Sequence, residues 1–134
     1  MYPRDWQKFL EIGAGKDIAC AQLLSDEVLE HLDPLSDKLF IGHDTALKAV
    51  SKHRLGPEHF PLIFDTVERG MALADRDRHV TFLHETDLGW FQVTVKCALA
   101  SRRLYVATFY QTRERDVQSK RRRFRLLRDE KRAA

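Results

Sequence analysis

Four side chains of this 134-residue sequence have the types needed to break a phosphodiester without a metal: Lys48, His53, Thr108 and Tyr110. An imidazole titrates near neutrality and moves a proton, an ammonium group neutralises the charge of a pentavalent phosphorane, and hydroxyls orient a phosphate. Lys52 flanks the same imidazole. These groups suit RNA cleavage in which the ribose 2′-hydroxyl attacks its own phosphate, so the substrate brings the nucleophile. His43, at a helix entrance, is a second acid/base candidate, although a polar residue just before a cap also serves structure. His84 follows Phe82-Leu83 at a strand end, facing either a cleft or water. The competing reading makes His53 a satisfied core histidine and Tyr110 an interfacial aromatic with its hydroxyl in solvent.

Other chemistries lack their motifs. The sequence has no glycine-rich phosphate loop, no paired CxxC, no HExxH and no GxSxG, which leaves P-loop hydrolysis, zinc proteolysis and α/β-hydrolase chemistry without support. His79 and His84 are five apart on a strand, which sends them to opposite faces. Neither a metal nor a cofactor is expected.

The elements that must carry these residues differ in period. A helix opening at His43-Asp44-Thr45, with Asp44 or Thr45 as cap, and running to about Arg54 groups Ala46, Ala49, Val50 and His53 on one face, with Lys48 and Lys52 on a flank. Another helix, around Pro61 to Arg69, ends at Gly70. From Met71 the period becomes two. Met71 to Ala74 and Arg78 to His84 read as strands. Trp90 to Ala98 sets Phe91, Val93, Val95 and Cys97 against Trp90, Gln92, Thr94 and Lys96. Arg102 to Gln111 sets Tyr105, Ala107 and Phe109 against Leu104, Val106, Thr108 and Tyr110. Upstream, Pro3 to Glu11, Asp17 to Leu24 and Ser25 to Leu32 read as short helices, and Leu39-Phe40-Ile41 as a short edge strand. The expected fold is α+β, with N-terminal helices on one face of a C-terminal antiparallel sheet of about four strands. Residues 1–35 read as a helical extension, 36–114 as the main domain and 115–134 as a basic helix or tail.

Composition places the chain among ordinary single globular domains, 43% hydrophobic and 32% charged, and excludes fibrous or disordered classes. Cys20 and Cys97 read as buried reduced thiols. No apolar run reaches membrane-spanning length, and Met1 to Trp6 lack the regions of a signal peptide, so a cytoplasmic protein is expected. Charge is uneven: residues 111–134 hold ten Lys and Arg against four acids, while the first 110 carry thirteen against sixteen. The run Lys120-Arg121-Arg122-Arg123-Phe124-Arg125 suits a polyanion, or else forms a solvated terminal helix. Lys96, Arg102 and Arg103 could follow a phosphate backbone with Trp90 as a stacking surface, or protect a sheet edge.

The segment from His43 to Leu55, followed by Phe60 to Gly70, resembles the helical half of the phage-associated barnase/EndoU/colicin/RelE-like (BECR) nuclease domains. The strands Trp90 to Lys96 and Leu104 to Tyr110 resemble their sheet half. The likeness spans about residues 36 to 112 and lies in the order of the pieces. It implies a metal-independent endoribonuclease of phage or bacterial-toxin type, with tRNA or mRNA as substrate and an immunity protein or antitoxin as partner. Lys48, His53, Thr108 and Tyr110 would be catalytic. Lys52, Lys96, Arg102, Arg103, Arg121, Arg122 and Arg123 would hold RNA. The alternative is a non-catalytic protein of this fold that binds nucleic acid or a protein partner.

Overall fold

A computed structural model describes residues 5–130. The chain begins with helix α1 (Trp6–Ile12), strand β1 (Asp17–Gln22) and helix α2 (Asp26–Leu32). Strand β2 (Lys38–Gly42), helix α3 (His43–Ser51), a 3-10 turn (Pro57–His59) and helix α4 (Pro61–Arg69) follow. The second half holds β3 (Met71–Arg76), β4 (His79–Thr86), β5 (Gly89–Cys97) and β6 (Leu104–Thr112), then α5 (Glu114–Arg123) and β7 (Arg125–Arg128). Pro3, expected at the first helical position, lies outside the described residues, as do Lys131 and Arg132 of the basic C-terminus.

The class is α+β, but the sheet is larger than the expected four strands and is mixed. Among the described residues it has seven strands in the order β1-β2-β6-β5-β4-β3-β7. The β3-β4-β5-β6 meander matches the strand pattern of the sequence. Two of the additions come from stretches whose composition pointed elsewhere. Asp17–Gln22 is rich in helix formers, yet pairs antiparallel with β2 through a bulge between Ala19 and Ala21 that hides the two-residue period. Arg125–Arg128 sits inside a basic run, yet pairs antiparallel with β3. Arg128 fastens it by donating to the Val67 carbonyl at 2.8 Å, with its guanidinium 5.4 Å from the centre of the Phe82 ring.

Strand β2 is interior rather than an edge, because β1 covers one side and β6 the other. Its pairing with β6 is parallel and short, only Leu39 with Leu104 and Phe40 with Tyr105. Beyond Tyr105, therefore, β6 has no strand on that side, and α3 packs against it.

Helices α1 to α4 pack into one core on one face of the sheet. Trp6, Phe9, Val28, Leu32, Ala46, Ala49, Ile63 and Val67 meet Phe82, Phe91, Val93, Val95, Leu104, Val106 and Phe109 there. Phe60 is central to it, stacked on Trp6 with ring centres 4.8 Å apart and edge-on to Phe109 at 5.7 Å. Cys20 and Cys97 are buried free thiols in this core. The opposite face carries α5, whose fully buried Val117 packs with Met71, Leu73 and Leu83, flanked by Trp90 and Phe124. No helix among the described residues is long and apolar enough to cross a membrane.

Candidate active site on the open face of the sheet

Register turns the α5 side of the sheet into cross-strand rows. Met71, Leu83, Gln92 and Tyr110 form one, and Leu73, Thr81, Thr94 and Thr108 the next. A third joins Arg76, His79, Lys96 and Tyr105. In the first two rows the β3 member is apolar and the β6 member polar. Helix α5 therefore covers the apolar half, and a polar trough remains over β5 and β6.

Simple alternation does not hold along β6. A register shift between Thr94 and Val95 leaves Ala107 as an extra residue, so Leu104, Val106 and Phe109 all enter the core while Tyr105, Thr108 and Tyr110 face the trough. The expected grouping of Leu104 and Val106 with Thr108 and Tyr110 is corrected accordingly. The bulge is what brings both hydroxyls to the open face.

His53 meets Tyr110 at the rim of this trough. Helix α3 ends on Ser51, and the His53 and Leu55 amides fold back to the carbonyls of Lys48 and Ala49 as Arg54 takes a left-handed φ of 59°. That return sets the His53 ring 5.0 Å from the Tyr110 ring, with an interplanar angle of 31°. His53 is half-buried, not sealed. Desolvation, and then the charge of Lys52, hold its pKa below the usual histidine value, so it is neutral at pH 7. Burial, with the negative charges of Asp116 and Asp75, pushes the Tyr110 phenol up, while a hydrogen bond with Gln92 pulls it down. The net shift is upward and the hydroxyl keeps its proton.

Below these rings lies a polar chain. Thr81 donates to Asp75 at 3.1 Å and shares a 3.1 Å hydroxyl contact with Thr94. Gln92 donates its side-chain amide to Thr94 at 3.3 Å. Gln92 is only 4% exposed, and its side-chain oxygen has no well-aligned hydrogen-bond partner, the neighbouring Tyr110 included. Thr108 is exposed at the end of the Thr81-Thr94 row.

The other candidate residues divide by place. Lys48 and Lys52 are exposed. Helical geometry puts both within about 60° of Thr45, the α3 residue that borders the far end of the trough. Lys96 is exposed on the trough face, and the Arg103 guanidinium lies 3.5 Å from the centre of the Phe40 ring. Arg102 instead ties the β5-β6 turn to the end of α2, donating to the Asp33 carboxylate at 2.9 Å and its carbonyl at 3.1 Å. Arg121 shares a cavity with Glu85, Glu114, Asp129 and Glu130, an acidic setting unlike that expected of a phosphate ligand. Arg122 and Arg123 are exposed on α5. Trp90, expected as a stacking surface, packs beside the α5 core. His43 is buried, with its Nε2 2.8 Å from the Leu10 carbonyl, and so joins α1 to α3. His84 lies 3.7 Å from Glu130.

Sequence reasoning passed over Thr45, Asp17, Tyr105 and Gln92 as site residues. For Gln92 a signal existed, since strand alternation places it with Thr94 and Lys96 opposite the apolar face. Asp17 and Thr45 are brought in by the β1-β2-β6 order, which no local pattern encodes. Compared with known proteins, the chain matches no family model, no curated protein and no solved structure. The site is therefore read from its own geometry.

Proposed function

We propose that this protein is a metal-independent endoribonuclease of the toxin-like kind that the sequence resemblance implies, working on the open face of the sheet. The observation that supports it most directly is the His53 imidazole against the Tyr110 ring, at the rim of a trough that also presents Thr108. Neutral His53 takes the proton from the ribose 2′-hydroxyl. The 2′-oxygen then forms a bond to phosphorus as the bond from phosphorus to the 5′-oxygen breaks. Tyr110, protonated at neutral pH, donates to the departing 5′-oxygen and is reprotonated by water. Lys48 and Lys52 offset the charge gathering on the phosphoryl oxygens, and Thr108 orients one of them. The products are a 2′,3′-cyclic phosphate and a 5′-hydroxyl.

The test is incubation of the protein with total RNA in EDTA, followed by end-group analysis. Cyclic phosphate ends are expected from wild type and not from His53→Ala, and expression should be toxic to cells in a way that this substitution relieves. An intact RNA pool, or a His53→Ala variant that cuts as fast as wild type, refutes the assignment. Salt-sensitive RNA binding without cleavage would point instead to the non-catalytic alternative.

A further inference from the structure

A bulge in β3 starts the polar chain beneath Tyr110. The pairing of β3 with β4 shifts between Ala74 and Arg76, which leaves Asp75 as the extra residue and aims its carboxylate at Thr81, whose hydroxyl donates to it at 3.1 Å. From there the chain crosses the sheet through Thr94 and Gln92 to Tyr110, from β3 to β6. Three inter-strand steps of about 4.8 Å make that a span of about 14 Å. Thr81, Thr94 and Gln92 are all buried, which shields the chain from bulk water.

The chain has one direction. A carboxylate accepts hydrogen bonds, and a hydroxyl has a single proton to give. Asp75 therefore takes the Thr81 proton, the 3.1 Å contact between the two hydroxyls uses the Thr94 proton, and the Thr94 oxygen accepts from the Gln92 amide at 3.3 Å. Amide nitrogen and oxygen have the same shape, and the chain decides which of them faces Thr94. The Gln92 oxygen has no partner, so the bond from Gln92 to Tyr110, directly opposite on β6, is also donated by the nitrogen. A donor at the phenol oxygen favours the phenolate, which agrees with the downward pull of Gln92 on Tyr110. The Tyr110 oxygen thus accepts on its buried side, and its own proton is paired with no acceptor among the described residues.

We propose that Asp75 is a positioning residue: through Thr81, Thr94 and Gln92 it fixes the Tyr110 hydroxyl as a donor into the trough, toward the departing 5′-oxygen. No proton travels along this relay. Tyr110 gives its proton to the 5′-oxygen and regains one from water, and in between Gln92 holds the phenolate with an N–H that already points at it. Without the Asp75 carboxylate the hydroxyls are free to reverse, the amide turns its oxygen to Tyr110, and the phenol proton is held inside the protein. The inference rests on the cleavage reading of the trough and adds the group that aims its general acid.

Leaving-group chemistry tests it. The intact protein is given a dinucleoside 3′,5′-phosphate and the 3′-(para-nitrophenyl phosphate) of the same nucleoside, whose nitrophenolate departs without a proton. General acid catalysis contributes about 10²–10⁴-fold, so losing its aim in Asp75→Asn should lower kcat on the dinucleoside by about tenfold or more, with KM within about twofold. The nitrophenyl ester should be cleaved at the wild-type rate. Thr94→Val should give the same split, and Thr94→Ser, which keeps the hydroxyl, should not. The ionisation of Tyr110, followed by NMR of isotope-labelled tyrosine, needs no substrate. Its midpoint should move upward in Thr94→Val, because the freed amide oxygen favours the protonated phenol, and stay in place in Thr94→Ser. Equal losses on the two esters, undiminished dinucleoside cleavage in Asp75→Asn, or an unmoved Tyr110 midpoint in Thr94→Val overturns the proposal. A wild type that cuts neither ester sinks the cleavage reading, and the Tyr110 midpoint then decides the relay alone.

Discussion

Replacing Gln92 by methionine separates stability from function in the trough. The side chain is 4% exposed, its amide donates to Thr94 at 3.3 Å, and its oxygen lacks a partner. Methionine has a similar length and number of rotatable bonds, so it fills the site without a large cavity. Losing the amide's bonds to Thr94 and Tyr110 costs about 1–3 kcal/mol, while removing an unsatisfied buried acceptor returns about 1–3 kcal/mol. Thr94 keeps its contact with Thr81 in the variant. The net expectation is a stability within about 1 kcal/mol of wild type, a midpoint shift of no more than about 4 °C for a domain of this size. RNA cleavage should fall severalfold in the same protein, because Gln92 adjoins the Tyr110 hydroxyl. Calorimetry and the cyclic-phosphate assay on one preparation measure both. A loss of more than 1 kcal/mol would mean that the oxygen is satisfied within the protein, and the account of the polar row would fail.

Three further outcomes follow from the same geometry. Cleavage should rise with pH through a midpoint below 6.5, because desolvation and Lys52 hold His53 in its neutral form, and Lys52→Gln should move that midpoint upward in a pH-rate profile. Phe60→Ala removes a fully buried ring stacked on Trp6 and touching Phe109 and should cost about 3–5 kcal/mol in urea unfolding. Burial raises the Cys20 thiol far above its usual range, so it should resist thiol reagents at pH 8 until the protein unfolds, as a timed modification with and without denaturant would show.

Some of this architecture was legible in the sequence because each piece followed a local rule. The face of α3 bearing Ala46, Ala49, Val50 and His53 follows from 100° per residue, and β5 alternates without interruption, so its inward and outward sets match the structure. β6 does not. Its bulge at Ala107 costs a residue of phase that composition does not announce, although Leu104 and Phe109, five apart on one strand and both large, are a trace of it. In β1 and β7 composition adds to the concealment: Ala and Gln in one and Arg and Leu in the other carry no intrinsic strand preference, and long-range pairing with β2 and β3 overrides them. The meeting of His53 with Tyr110 was within reach because each lies on an element whose face could be worked out. The contact of Tyr105 with Asp17 was not, since it spans 88 residues of chain through a sheet order fixed only on folding.

That sheet order sets a schedule for synthesis. β6 is among the last strands to be made, yet it occupies an interior position between β2 and β5. A nascent chain paused on the ribosome before residue 104 would hold two bare hydrogen-bonding edges and no completed groove, since Tyr105, Thr108 and Tyr110 would still be missing. Such an intermediate is prone to stick to its neighbours. Under the proposed function, cleavage then belongs to the finished molecule alone, because Thr108 and Tyr110 both lie on β6.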